Sequence, residues 1–118
     1  MATREELLKA IDDYMARANK SERVLRSLRS WNCVIYFEAT DITAGFTMTI
    51  KDGKATVSDG TQGTADLIVK GGSEDLADIF WGDANPASNY MQGAIKVQGS
   101  QENVMRLDAM AMLIYLGG

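Results

Sequence analysis

Apolar residues recur at Leu7, Leu8, Ile11, Tyr14, Met15 and Ala18, the spacing of one helical face, so the chain opens with an amphipathic helix over residues 4–18. Thr3 followed by Glu6 has the form of a capping box at its start. Asn19-Lys20-Ser21 breaks the pattern, and Ser21 suits the cap of a second short helix that runs to about Leu28 and shows Val24, Leu25 and Leu28 on one side. From Asn32 the period falls to two. Cys33, Ile35, Phe37 and Ala39 alternate with Asn32, Val34, Tyr36 and Glu38, the signature of a strand. After a turn begun by Thr40-Asp41, Phe46, Met48 and Ile50 alternate with Thr47, Thr49 and Lys51, a strand wet on one face as in an antiparallel sheet. Asp52-Gly53 is a strong hairpin signal and leads to a third strand with Ala55 and Val57. The turn Asp59-Gly60-Thr61-Gln62-Gly63 then leads to a fourth strand with Ala65, Leu67 and Val69.

Gly71-Gly72 ends the strands, and Ser73 with Glu74-Asp75 caps a helix over 74–82 that carries Leu76, Ile79 and Phe80 on one side. A loop with Gly82 and the sole proline, Pro86, precedes a helical turn to Gln92. Gly93 releases the chain into a fifth strand, Ala94 to Gln98, closed by Gly99. Ser100 caps a last helix with Val104, Leu107, Ala111, Ile114 and Tyr115 on one face. From Ala109 to Leu116 that helix is apolar all round and needs cover, from the core, from an apolar ligand or from a second subunit. This order predicts one α+β domain over residues 1–118, a five-stranded, largely antiparallel sheet with helices packed on one face.

Composition narrows the chemistry. An apolar share of 46% with 24% charged residues is that of a globular chain able to bury a real core at 118 residues. No apolar run is long enough to span a bilayer and the N-terminus is charged and helix-like, so a cytoplasmic protein is expected. There is no histidine, which removes the commonest general base and metal ligand. Cys33 stands alone and falls on the apolar side of its strand, where a buried inert thiol is expected. Asp75 and Asp78 share a helix face, Asp41, Asp52 and Asp59 belong to turns, and the glycine pairs lack the lysine of a phosphate loop. The expectation is therefore no catalytic residue, no metal and no cofactor. The net charge of −4, with no basic recognition face, argues against nucleic acid. Residues 1–30 nevertheless hold seven basic against five acidic side chains. Arg17, Lys20, Arg23, Arg26 and Arg29 recur every third residue, either as a solvated face or as a patch for anionic headgroups that makes transient membrane contact through residues 17–29.

The ordered punctuation resembles one family. Phe46, Met48 and Ile50 lead through Asp52-Gly53 into a second strand, and Ala65-Asp66-Leu67-Ile68-Val69 precedes a helix with Leu76, Ile79 and Gly82. Pro86 follows, then Tyr90-Met91-x-Gly93-x-Ile95-x-Val97-x-Gly99. Over nearly the whole chain this is similar to the sterol carrier protein type-two (sterol-binding) domains. The resemblance implies a five-stranded sheet with an apolar tunnel between sheet and C-terminal helix. It also implies binding or transfer of a fatty acid, fatty acyl-CoA or sterol without covalent chemistry. Peroxisomal members end in a Ser-Lys-Leu type tripeptide, whereas this sequence ends Leu116-Gly117-Gly118.

Candidates for the ligand wall are Phe46, Met48, Ile79, Phe80, Trp81, Tyr90, Met91, Met105, Met110, Leu113 and Leu116, each of which has ordinary core as its plainer role. Seven methionines, Met1 included, favour an adaptable wall, since the thioether chain is flexible and polarizable. Trp81 suits a pocket rim, and Trp31, between helix and strand, suits a packing anchor. The competing reading is a small homodimerising interaction domain without lipid, joined through Ala109 to Leu116.

Overall fold

The alternation of apolar and polar residues builds the sheet directly. In the computed structural model, which describes residues 2–61 and 63–117 and all side chains there except those of residues 89–91, β1 (Cys33–Ala39) pairs antiparallel with β2 (Ala44–Lys51). β2 pairs antiparallel with β3 (Lys54–Asp59) through a turn in which Asp52 and Gly53 both take positive φ, 54° and 76°, as a two-residue hairpin of this hand requires. β4 (Leu67–Gly71) lies parallel to β1 on its other side, and β5 (Ile95–Gly99) closes the edge antiparallel to β4, giving the order β3-β2-β1-β4-β5. The family-like Ala65-Asp66 segment sets the parallel register: the Val34 N–H donates to the Asp66 carboxylate at 2.9 Å, and the Asp66 N–H donates to the Val34 carbonyl at 2.8 Å. The fourth strand thus begins at Leu67, and Ala65 precedes it.

The register puts Cys33, Ile35, Phe37 and Ala39 on the same face as Ile50, Met48, Phe46 and Ala44, their direct partners across the ladder. Leu67 and Val69 continue that face next to Ile35 and Phe37. All the helices whose side chains enter the core lie over this face. These are α1 (Arg4–Lys20), α2 (Glu22–Leu28), α3 (Ser73–Trp81) and α5 (Gln101–Tyr115); the short α4 (Pro86–Met91) lies beside α5 and β5. The opposite face carries Thr47, Thr49, Thr56, Ser58 and Lys70, and the β3–β4 connection crosses it. There Thr47 Oγ1 donates to the Gly60 carbonyl at 2.6 Å, and a Cβ on Gly45 would come within 2.9 Å of Thr61 Cγ2.

Helix ends follow the sequence with one exception. Thr3 Oγ1 accepts from the Glu6 N–H at 3.1 Å, Ser21 Oγ from Val24 at 3.3 Å, and Ser100 Oγ from Asn103 at 3.2 Å. Ser73 does not cap α3. Gly72 occupies that position, and Ser73, fully buried, turns its hydroxyl to bridge distant segments. It accepts from the Ala2 N–H at 2.9 Å and donates to Asp41 Oδ2 at 2.8 Å, while its own N–H donates to Asp41 Oδ1 at 2.9 Å. These bonds, the Ser73 hydroxyl's first, hold the Asp41 carboxyl below the usual range. Trp31 is the anchor that its position suggests. It is buried, its indole N–H donates to Asn103 Oδ1 at 2.9 Å, and the Arg106 guanidinium stands 5.6 Å over its ring, which ties the α2–β1 junction to α5.

Candidate functional site

The edge of the sheet formed by β4 and β5 is where the helical layer leaves space. An apolar cavity of about 50 Å³ lies between these strands and α3 and α5. Phe37, Val69, Ile95 and Val97 rise from the sheet, Leu76, Ile79 and Phe80 come from α3, and Leu107, Asp108 and Ala111 come from α5. Tyr14 of α1 and Pro86 of α4 also belong to the lining. Its inner end is aromatic: Phe80 sits 5.3 Å from Tyr14, tilted at 58°, and 5.3 Å from Phe37, edge to face at 73°. Its outer end is marked by Asp108, an exposed residue whose carboxyl burial nonetheless raises in pKa.

Two glycines let β5 approach β4 closely. In the ladder Gly71 faces Ile95 and Gly99 faces Leu67, one glycine against one bulky residue at each end. A Cβ on Gly99, at φ 154°, would stand 2.7 Å from the Asp66 carbonyl oxygen. Before β5, α4 is a six-residue helix that follows Gly82 and precedes Gly93, both in left-handed conformations, at φ 83° and 78°. Arg17 holds the preceding turn. It pairs with Asp13 at 3.0 Å, donates to the Phe80 carbonyl at the end of α3, and lies 5.8 Å over the Tyr14 ring. One member of the cationic stripe is therefore a helix-end anchor, while Lys20, Arg23, Arg26 and Arg29 remain exposed.

The candidate wall residues divide accordingly. Ile79 and Phe80 line the cavity. Phe46, Met48 and Met110 are buried in the continuous core, and Leu113 packs half-buried against it. Trp81, Met105 and Leu116 are 44%, 63% and 73% exposed and line no wall of this cavity. The side chains of Tyr90 and Met91 lie outside the described residues. Sequence reasoning offered only Ile79 and Phe80 of the described lining and missed Tyr14, Phe37, Val69, Leu76, Pro86, Ile95, Val97, Leu107, Asp108 and Ala111 as cavity residues. The β-strand members share the period-two face of Phe37, and Asp108 stands one turn from Val104 and Ala111 on the inward side of α5, a polar interruption visible in the heptad spacing.

Other features are less suited to an apolar guest. A roomier depression, about 360 Å³, is lined by Glu38, Ala39, Thr40, Thr43, Ala44, Gly45 and Thr61, with small polar groups and no large apolar wall. Cys33 is buried, and burial together with the Asp66 carboxylate pushes its thiol up to about 11, far from a thiolate at neutral pH. Among the described residues no cluster of His, Cys, Asp and Glu is placed to hold a metal ion, and no helix is long and apolar enough to cross a membrane.

The sequence profile of the SCP-2 sterol transfer family matches residues 11–112. The chain belongs to that family. Solved structures share its fold at low identity. The sterol carrier protein domain 2 of Helicoverpa armigera superposes with a TM-score of 0.76 at 21% identity, covering 97% of this chain and 93% of that one. A UbiJ-SCP2 ubiquinone synthesis protein gives 0.71 at 16% identity, covering 92% and 94%. Palmitated SCP2L2 from Aedes aegypti gives 0.68 at 19% identity, covering 93% and 95%. No curated protein matches the chain at the level of sequence.

Proposed function

We propose that this protein binds one lipid, a fatty acid, fatty acyl-CoA or sterol-like molecule, between its sheet and its last helix, and carries it without covalent chemistry. The observation that carries this reading is the apolar cavity between β4–β5 and α3–α5, in a chain of the SCP-2 family. The palmitated state of the Aedes aegypti relative supports an acyl chain as one guest. At about 50 Å³ the closed cavity is well below the roughly 300–1,000 Å³ of sites that enclose small molecules, so binding widens it. The segment from Gly82 to Gly93 is the part that yields: α4 is short, contributes Pro86 to the lining, and is flanked by glycines free to change φ. Each buried methylene contributes roughly 0.8 kcal/mol, so about ten to fifteen of them offer roughly 8–12 kcal/mol toward opening and ordering.

The surface beside this site supports delivery to a membrane as part of this reading. Lys20, Arg23, Arg26 and Arg29 are exposed, and Tyr115, also exposed, borders the same depression as Arg17 and Lys20. Cations within reach of an anionic leaflet contribute about 1 kcal/mol each. The exposed Met105, Tyr115 and Leu116 of α5 and its end also favour the competing reading, in which a second copy covers them. Native mass spectrometry of gently purified protein, with displacement of a fluorescent fatty acid, tests the lipid reading. A 1:1 adduct and competitive displacement support it; a protein that ignores fatty acids, acyl-CoA and sterols alike defeats it. Light scattering on full-length chain, which gives a monomer in this account, separates out the dimer. Vesicle co-sedimentation should be strong with anionic and weak with neutral vesicles.

A further inference from the structure

Among the described residues the cavity lining is apolar except at two side chains. Tyr14 lies at its aromatic end and, with burial lifting its pKa well above that of an ordinary phenol, stays neutral. Asp108 stands at its outer end, exposed to solvent on one side and lining the cavity on the other. Among the described residues no cation pairs with Asp108 and none donates a hydrogen bond to it. The nearest cation in sequence, Arg106, is engaged elsewhere, donating to the Ser30 carbonyl at 3.3 Å and lying over Trp31. Arg17, close to Tyr14, is held by Asp13 and by the Phe80 carbonyl. Among the described residues no lysine or arginine lines the cavity.

We propose that Asp108 is the residue that selects the headgroup: the ligand presents a neutral hydroxyl at the cavity mouth and donates to this carboxylate, while a carboxylate headgroup is turned away. The inference rests on the lipid-binding reading and narrows it to neutral, hydroxyl-headed lipids, the chemistry shared by long-chain alcohols, sterols and prenylated phenols. An acyl carboxylate that enters tail first leaves its charge beside Asp108, and two like charges at the edge of a low-dielectric space repel. A hydroxyl in the same place offers the carboxylate a charge-assisted hydrogen bond, stronger than a neutral one.

The test is competition, on the full-length chain, between a neutral solvatochromic dye and two ligands of equal chain length, dodecanol and dodecanoate. Asp108→Asn and Asp108→Lys are compared with the parent, so the intrinsic solubility difference of the two ligands cancels. The parent should prefer the alcohol by about tenfold over the preference shown by Asp108→Asn, the size expected for one like-charge pair a few ångströms apart at a partly solvated site. Asp108→Lys should move further in the same direction and favour the acid. If both variants keep the parent's ratio while dye and ligands still bind, headgroup selection by Asp108 is wrong and lipid binding stands. If neither ligand displaces dye from any variant, the lipid reading itself fails and takes this inference with it.

Discussion

On its helical side the sheet is covered differently at its two edges. Over β3 and β2 lie α1 and α2, and the contact is solid: Leu7, Ile11, Val24, Leu28 and Met48 have no exposed surface, and Phe46 and Ile50 have 1%. Over β4 and β5 the cover comes from α3, α4 and α5, and there Ile79 and Val97 are only half-buried around a cavity. The strands of the first edge are long, eight residues in β2, and joined by a two-residue turn. Those of the second are five residues each, paired through glycines and linked by two helices, α3 and α4, and the loops that follow them. One half is built to hold the fold and the other to hold a guest, and the division runs along β1.

The largest expected contrast comes from truncation in each half. Phe46→Ala should cost about 3–5 kcal/mol, as for other buried aromatics, and leave ligand selectivity intact in whatever fraction folds. Ile79→Ala, at a half-buried site, should cost about 1 kcal/mol in a urea titration and weaken dye binding several-fold. Equal losses of stability would erase the distinction between the halves. Next in size is Gly99→Ala, whose Cβ would meet the Asp66 carbonyl oxygen. It should cost about 1–3 kcal/mol and raise amide exchange in β5 while β2 and β3 stay protected.

Ser73→Ala should cost about 1–3 kcal/mol by leaving the Ala2 N–H and Asp41 without their shared partner. The Asp41 pKa lies below its unfolded value, so its contribution is full above the unfolded carboxyl range and is lost as pH falls through the lower folded value. The acid limb of the stability curve should therefore flatten in Ser73→Ala and in Asp41→Asn. The smallest effect is at the cavity mouth and has the opposite sign. Asp108 has a raised folded pKa, so its charge opposes folding above that value and the penalty vanishes below the unfolded one. Asp108→Asn should raise the melting temperature slightly at pH 7 and leave it unchanged at pH 3.

Much of this division was legible in the residues. The period of two in Phe46, Met48 and Ile50 marked a strand with one buried face, although Phe46 and Met48 read as ligand wall and belong to the solid half, and the caps at Thr3, Ser21 and Ser100 marked three helices correctly. Leu76, Ile79 and Phe80 marked the inward side of α3. Ser73 read as a cap because its type and position are those of one, yet a neighbouring glycine took that place and a long-range partner, Asp41, claimed the hydroxyl. Met105 read as wall because methionine is adaptable, and Leu116 because the chain from Ala109 is apolar all round; helix geometry lets only one side of α5, Leu107, Met110, Ala111 and Ile114, reach the core. Asp108 went unread for the converse reason. A carboxylate among apolar neighbours looks like the solvent side of a helix until the sheet behind it is known.

The central claim is that the second half opens for a lipid while the first stays shut. A titration of methyl-labelled protein with dodecanol, followed by NMR, reads both halves at once. The account predicts shifts and ligand-to-methyl contacts at Leu76, Ile79, Ile95, Val97 and Leu107, with Leu7, Ile11, Leu28 and Ile50 unmoved. Contacts confined to the latter set, or shifts spread evenly over both, would contradict it.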